Sequence, residues 1–542
     1  MDPVTLQVLR HRLASLVEEL GHHLYRSAYS TIIRESRDYS CVVLGGDGRV
    51  VVAPPMPLHA AIYSLMVRAV REAYGDDLAP GDVFIANHPY ETGAAHVPDL
   101  TTLAPVFHDG ALVGFCGNIA HKADFGGAVP GSVSGQATEL YQEGLLLPPV
   151  RLVRAGQTVP EVERIVRANV RNPALVMGDV RTQVGVARLG AERLAALFAR
   201  YGPATLAEAF DAILASTERA VAARLAEWPD GTSEAEAFLD DDGVQLGRPV
   251  RLHVVVSVRS GRVRFDFRGS ADQTTGPLNL RPSLVEGTCH YAILAMTDPG
   301  LPYNDGIRPL VDVVLRPGSV LAARPPAPVS SYMMTVHKLT DLVLEGLAPF
   351  CPERATAHGG GSGGSITIGW GDAVRTGRSY VQYEIFGSAY GASNGQDGES
   401  GVSVHLANLQ CTPIEIVESE FPARVTRFEL IPDSGGAGRW RGGLGFRRDY
   451  EVLQPGRLIR RADRVAVAPS GLAGGGPGRT SRFVLRPDTA DEQALPASAS
   501  VQLAAGDTFR IETAGGGGYG DPAERDPALV DEDRREGRVA PA

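Results

Sequence analysis

Two apolar periods alternate along this chain of 542 residues. Near the N-terminus Leu6, Leu9, Leu13, Leu16, Val17, Leu20 and Leu24 recur every three or four positions, which places them on one helical face. Asp2 is suited to cap that helix and Pro3 to open it, because proline's missing N–H costs nothing in a first turn. The pattern predicts a second helix over residues 59–74, ended at Gly75, and mostly helix over 160–227, with Gly202-Pro203 as a stop inside it. Around Pro229-Asp230-Gly231 the period changes. Val263, Phe265 and Phe267 alternate with Arg262, Arg264 and Asp266, so residues 250–257 and 262–268 form a hairpin about Ser260-Gly261. Helical patterns return near 283–297 and 335–348, and from Thr426, Phe428 and Leu430 onward the chain reads as β-rich. The fold class expected is therefore α+β and multidomain, with a helix-bearing N-terminal half containing mixed sheets and a β-rich C-terminal half. Regions 1–229, 230–424 and 425–542 are the divisions this reading suggests.

One stretch, Asp82 to Ser132, departs from both periods and concentrates the chemistry. Thr101 to Phe107 and Leu112 to Cys116 read as strands joined at His108-Asp109-Gly110, where Asp-Gly supplies a tight turn. Just outside this hairpin stand two H-x-x-D units, His96 with Asp99 and His121 with Asp124. Folding about the turn brings both units to one end of a sheet. Imidazole and carboxylate groups without cysteine suit Zn, Mn or Fe in an open, catalytic type of site. The pattern is short and most histidines ligate nothing, so spacing alone defines a candidate.

Composition narrows the function classes. A 44% hydrophobic and 21% charged chain is that of an ordinary globular protein. No apolar run approaches the roughly 18 residues of a membrane helix, and the first residues carry no apolar export signal. Five scattered cysteines without a C-x-x-C pair argue against a disulfide framework and for a reducing cytoplasm. A net charge of −11 with no basic cluster argues against nucleic acid. Glycine clusters at 358–364 and 515–518 lack the strand-to-helix setting and the Gly-Lys-Ser/Thr of a phosphate loop, so they read as tight turns and close backbone contacts.

Further candidates lie outside the hairpin. Asp38, in Glu35-Ser36-Arg37-Asp38-Tyr39-Ser40, stands just before the strand Cys41 to Leu44, a usual address for a ligand or catalytic carboxylate; a salt bridge to Arg34 or Arg37 explains it equally well. His405 falls where Val402, Val404 and Leu406 suggest the apolar face of a strand, and so points the other way, beside Asn408 and Thr412.

Long segments resemble the hydantoinase B/oxoprolinase family nearly from end to end. They include ESRDYSC (35–41), HVPDLTTLAPVFHDG (96–110), AHKADFGGAVPGS (120–132), LYQEGLLLPPV (140–150), GESGVSVHLANLQCTPIEIVE (398–418) and ETAGGGGYGDP (512–522). The resemblance implies a divalent metal, Zn, Mn or Fe, held by His96, Asp99 and His121, with Asp38 as fourth ligand. It makes Asp124 and Glu143 the groups that orient water or substrate as catalytic bases. It also implies a hetero-oligomer with a hydantoinase A-type subunit that cleaves ATP, and a reaction that opens a cyclic amide or imide. The alternative is ATP-dependent carboxylation of a ketone, as in acetone carboxylase. Three departures border the site. Lys122 stands where many relatives have a second histidine, His88 where many have aspartate, and Ala94-Ala95 where many have Gly-Gly. These bear on the substrate and on the metal's identity.

Overall fold

The computed structural model describes residues 1–53, 57–371, 380–407 and 409–540. Helix α1 (Pro3–Ser27) begins as the sequence predicts, with the Asp2 carboxylate accepting from the Val4 and Thr5 backbone N–H groups. A one-turn helix α2 (Thr31–Arg34) follows, and then a seven-stranded sheet. Its strands are β1 (Tyr39–Gly45), β2 (Val50–Val52), β3 (Val83–Ala86), β4 (Asp99–His108), β5 (Ala111–His121), β6 (Val150–Arg154) and β7 (Gln157–Thr158). They lie in the order β2-β1-β5-β4-β3-β6-β7, antiparallel at every pairing.

Both faces of this sheet are covered, so its central strands are nearly continuous runs of apolar residues rather than alternating ones. Val42 and Leu44 of β1 pack toward α3 (Pro57–Tyr74), whose Ile62, Tyr63 and Met66 are buried against them. Cys41 and Val43 face the other way, into a core with Leu9, Leu13 and Leu20 of α1. The helices of the predicted 160–227 region are α5 (Pro160–Asn169), α6 (Pro173–Tyr201) and α7 (Pro203–Leu225), α4 being a single turn (Pro89–Thr92). Gly202 separates α6 from α7 with φ +83°, a conformation that favours glycine.

The 250–268 hairpin is present as β9 (Val250–Arg259) and β10 (Arg262–Asp266), within a sheet completed by β8 (Gly231–Leu239) and β11 (Val311–Val314), the last pairing parallel. Helices α8 (Pro282–Thr297) and α9 (Tyr332–Leu347) share one core with α3 and this sheet. The C-terminal part is β-rich as expected. Strands β12 (Ser365–Trp370) and β13 (Tyr380–Ile385) join the strands Gly456–Arg461 and Ser498–Leu503, and a five-stranded sheet packs nearby around Tyr450, Phe483 and Phe509. Because β12 pairs along its length with Gly456–Arg461, hydrogen bonding runs straight across the division suggested at residue 424.

One expectation is overturned here. His405 is not on a strand: the strand ends at Val402, and His405 sits in a turn with φ +54°. Its ring is buried rather than outward-facing, with Nε2 2.8 Å from Asp341 Oδ1. Of its two expected neighbours, Asn408 lies outside the described residues. Among the described residues, no helix is long and apolar enough to cross a membrane. The five cysteines are all free thiols.

Candidate metal centre and its cavity

The register of three strands builds the site. Asp109 and Gly110 form the two-residue turn between β4 and β5, with φ values of +47° and +80°. A register shift at Val106 and Phe107 then places Asp99, the first residue of β4, directly opposite His121, the last of β5. On its other edge β5 pairs with β1, and the His121 N–H donates to the Asp38 carbonyl at 3.1 Å. Asp38, His121 and Asp99 thus stand side by side at one end of three adjacent strands. His96 comes from the segment leading into β4, where the Asp99 N–H reaches its carbonyl at 3.2 Å.

The side chains of His96, Asp99 and His121 converge: one ligand atom from each lies within 4.8 Å of the others, and all three are buried. Among the described residues no other set of three such groups does so. His96 Nδ1 lies 3.2 Å from the Ser330 carbonyl, which can only accept, so Nδ1 carries the proton. That tautomer turns the lone pair of Nε2 inward, 3.2 Å from Asp99 Oδ1. Both ring nitrogens of His121 lack a partner among the described residues, although the ring is stacked 4.6 Å from Tyr383. A buried imidazole with two idle nitrogens is costly.

The electrostatics suit a cation. Burial, and secondarily His96, holds the His121 pKa well below the usual histidine range, so the ring is a neutral ligand. Low-dielectric surroundings and the Asp99 carboxylate push Asp38 up to about 7. Asp99 itself stays below the usual range: burial opposes ionisation, but the neighbouring His96 overcomes it. Two imidazoles with two mutually repelling carboxylates form a donor set that fits a divalent metal. Tyr332 closes the group, its ring 4.8 Å from that of His96 and its hydroxyl 3.5 Å from Asp99 Oδ2.

Asp124 and Glu143 sit elsewhere. Both oxygens of Asp124 are engaged: Oδ1 accepts from the Gly126 and Arg171 N–H groups, Oδ2 from the Gly131 N–H and from Arg171 Nη1 at 2.8 Å. It organises the 124–131 loop. Glu143 Oε1 accepts from the Val329 and Ser330 N–H groups at 2.8 and 2.7 Å, and burial pushes the carboxyl up to about 8. It holds the turn whose Ser330 carbonyl receives His96. Neither carboxyl lines the cavity beside the cluster. Of the departures noted in the sequence, His88 caps α4 through Nδ1, which accepts from the Tyr90 and Glu91 N–H groups. Lys122 is fully buried, donates to the Ala120 carbonyl at 2.9 Å, and is brought down to about 8 by burial.

Asp38, His96 and His121 form one wall of a cavity whose remaining surface is mostly apolar, including Leu58, Met334, Ile385 and Leu406. Three basic residues of this cavity escape sequence reasoning. His59, at the start of α3, bonds Ser40 Oγ at 3.0 Å. Arg461, at the end of its strand, is buried and donates to neutral acceptors, the Ser330 carbonyl at 3.0 Å and Ser365 Oγ at 3.1 Å. His337 projects from α9. The only available signal is a polar residue interrupting an apolar run.

Comparison with known proteins places these features in a family setting. A sequence model of the family described as hydantoinase B/oxoprolinase matches residues 2–522. The chain is 32% identical over 560 residues to the B component of a putative D-/L-hydantoinase from a Pseudomonas species, covering 99% of this chain and 93% of that one. Its fold matches the ATP-dependent caprolactamase of Pseudomonas jessenii with a TM-score of 0.92 and 28% identity, over 100% of this chain and 95% of the other. Acetone carboxylase shares the fold at a TM-score of 0.91 and 19% identity, over 99% and 78% of the two chains.

Proposed function

Because the chain belongs to the hydantoinase B/oxoprolinase family, we propose that it is the metal-bearing subunit of an ATP-dependent cyclic amidase. The observation that carries this reading is the buried His96–Asp99–His121 cluster, with idle imidazole nitrogens, at the wall of a largely apolar cavity. A divalent metal, Zn, Mn or Fe, would be held by these three and Asp38, and would supply a water acidified from 15.7 toward ~7. ATP is cleaved in a hydantoinase A-type partner, and transfer of its terminal phosphoryl group to the amide oxygen makes the carbon electrophilic. After water adds there, the ring C–N bond breaks with a proton passing to nitrogen, and hydrolysis of the resulting acyl phosphate releases carboxylate and phosphate.

The chain's own residues account for the rest. Apolar walls exclude bulk water and strengthen each electrostatic contact inside. Arg461 presents a fixed positive charge beside the cluster, suited to the amide oxygen and to the anionic phosphoryl group it comes to carry. Asp38, whose carbonyl accepts the His121 N–H, completes the donor set at the cavity wall. Glu143 and Tyr332 fix His96 and Asp99 in place, and Asp124 holds the loop after β5.

The test reconstitutes the chain with its partner, ATP and metal, and compares opening of lactams, hydantoins and 5-oxoproline with bicarbonate-dependent consumption of ketones. Ring opening that requires ATP and metal is the expected result. Ketone turnover with no cyclic amide opened overturns the reading.

A further inference from the structure

The cavity has a second polar position that the metal cluster does not use. His337 is 4% exposed, lines the cavity, and has no hydrogen-bond partner at either ring nitrogen among the described residues. Its surroundings do not absorb those nitrogens, because the charges behind it pair with one another. One turn further along α9, Asp341 accepts from His405 Nε2 at 2.8 Å, from the Gly359 N–H at 2.9 Å, and from Arg464. Lys338 pairs with Asp463 at 3.0 Å. Burial, aided by His405, lowers the His337 pKa to about 3, so the ring is neutral and offers one donor and one acceptor.

His337 shares its cavity with the cluster. Tyr332, which packs on His96, and His337 stand on the same helix, and both line the cavity together with His96 and His121. A carbonyl directed at the cluster leaves its oxygen to Arg461, which lines the same cavity and can only donate, and the remaining polar group of a cyclic amide is its N–H.

We propose that His337 is a substrate-recognition residue, its unprotonated ring nitrogen accepting the N–H of a secondary cyclic amide whose carbonyl lies at the His96–Asp99–His121 wall. This rests on the cyclic-amidase reading and narrows it to lactams and imides with a free N–H at the scissile bond, with N-substituted rings excluded.

The metal-loaded complex without ATP, titrated calorimetrically with 2-piperidone and with N-methyl-2-piperidone, tests it. The wild type should prefer the N–H lactam by roughly tenfold or more, as expected when a buried acceptor is left unpaired. His337→Ala should bring the ratio close to one, and His337→Gln, which keeps an acceptor, should retain part of it. Metal content and circular dichroism should match the wild type in both. If His337→Ala fails to fold, imidazole ¹⁵N spectra of the wild type decide, since the His337 signal should move with 2-piperidone and stay with the N-methyl compound. Equal affinities in the wild type, an undiminished preference in His337→Ala, or an unmoved His337 signal would each overturn the proposal alone. Binding of neither lactam would overturn it together with the cyclic-amidase reading.

Discussion

The cavity lies between two buried histidine–aspartate groupings that differ in one respect. Around Asp341 every charge is answered: His405, Arg464 and the Gly359 N–H all point at its carboxylate. Around Asp99 they are not, with His96 Nε2 and both nitrogens of His121 lacking hydrogen-bond partners among the described residues. Residue types and burial are similar in the two places. Satisfaction separates a group that holds the fold from one shaped to hold something else, because an unpaired buried polar atom persists only where another gain offsets it.

The sharpest way to break this comparison is to remove one histidine from each side. His121→Ala should lower bound Zn, Mn or Fe from near one equivalent to near zero, measured by elemental analysis after metal loading, because one of few ligands is lost. His405→Ala should leave metal content unchanged. Equal loss in both variants would mean that the distinction drawn from satisfaction is wrong.

Stability should divide the other way. Asp341→Asn leaves Arg464 buried without its counter-charge, a change expected to cost about 3–5 kcal/mol in denaturant unfolding at neutral pH. Asp341 is held below the usual carboxylate range; burial opposes this, while His405 and then Arg464 overcome it. A lowered folded-state pKa gives stability that is present above the unfolded value near 4 and lost as pH falls below it. The wild type should therefore lose stability on acidification below about pH 4, and Asp341→Asn should lack that component. A variant that unfolds at the wild-type denaturant midpoint would contradict the structural role.

These contrasts also explain what the sequence can reveal. The hairpin is legible because Asp109-Gly110 is a local signal, and it leads to His96, Asp99 and His121. The strands run further than expected, to Asp99–His108 and Ala111–His121, because both faces are buried and alternation does not mark their ends. The two H-x-x-D units look alike in sequence, yet Asp99 turns to its histidine while Asp124 turns to Arg171. Strand register, not spacing, decides that. Sequence pattern misplaces His405 because Val402, Val404 and Leu406 imitate a strand, whereas Gly401 and His405 both adopt positive φ and break it. The glycine clusters are close contacts, as their sequence setting implies: a Cβ on Gly515 would lie 1.8 Å from the Ser434 carbonyl oxygen. Arg461, Tyr332, Tyr383 and His337 reach the cavity from sequence positions more than 200 residues beyond His121, and no local pattern carries such information.

The smallest expected effect sharpens the comparison most finely, at Glu143. The resemblance makes it a catalytic base, whereas its surroundings are like those of Asp341: Oε1 is occupied by two backbone N–H groups and the residue is fully buried. Burial pushes its pKa to about 8, with the two N–H groups and Arg461 opposing, so it is mostly protonated at neutral pH. A raised folded-state value means that the fold loses stability as pH rises from the unfolded value near 4.3 to about 8. Glutamine preserves the acceptor for the Val329 and Ser330 N–H groups without ever ionising. Glu143→Gln should therefore match the wild type near pH 5, unfold at slightly higher denaturant near pH 8, and retain most ring-opening activity. Glu143→Ala leaves both N–H groups unpaired at about 1–3 kcal/mol for each buried group, and loosens the turn that fixes His96. If Glu143→Gln loses activity as completely as Glu143→Ala while remaining as stable as the wild type, the carboxyl is needed for proton transfer, and Glu143 belongs with the open cluster.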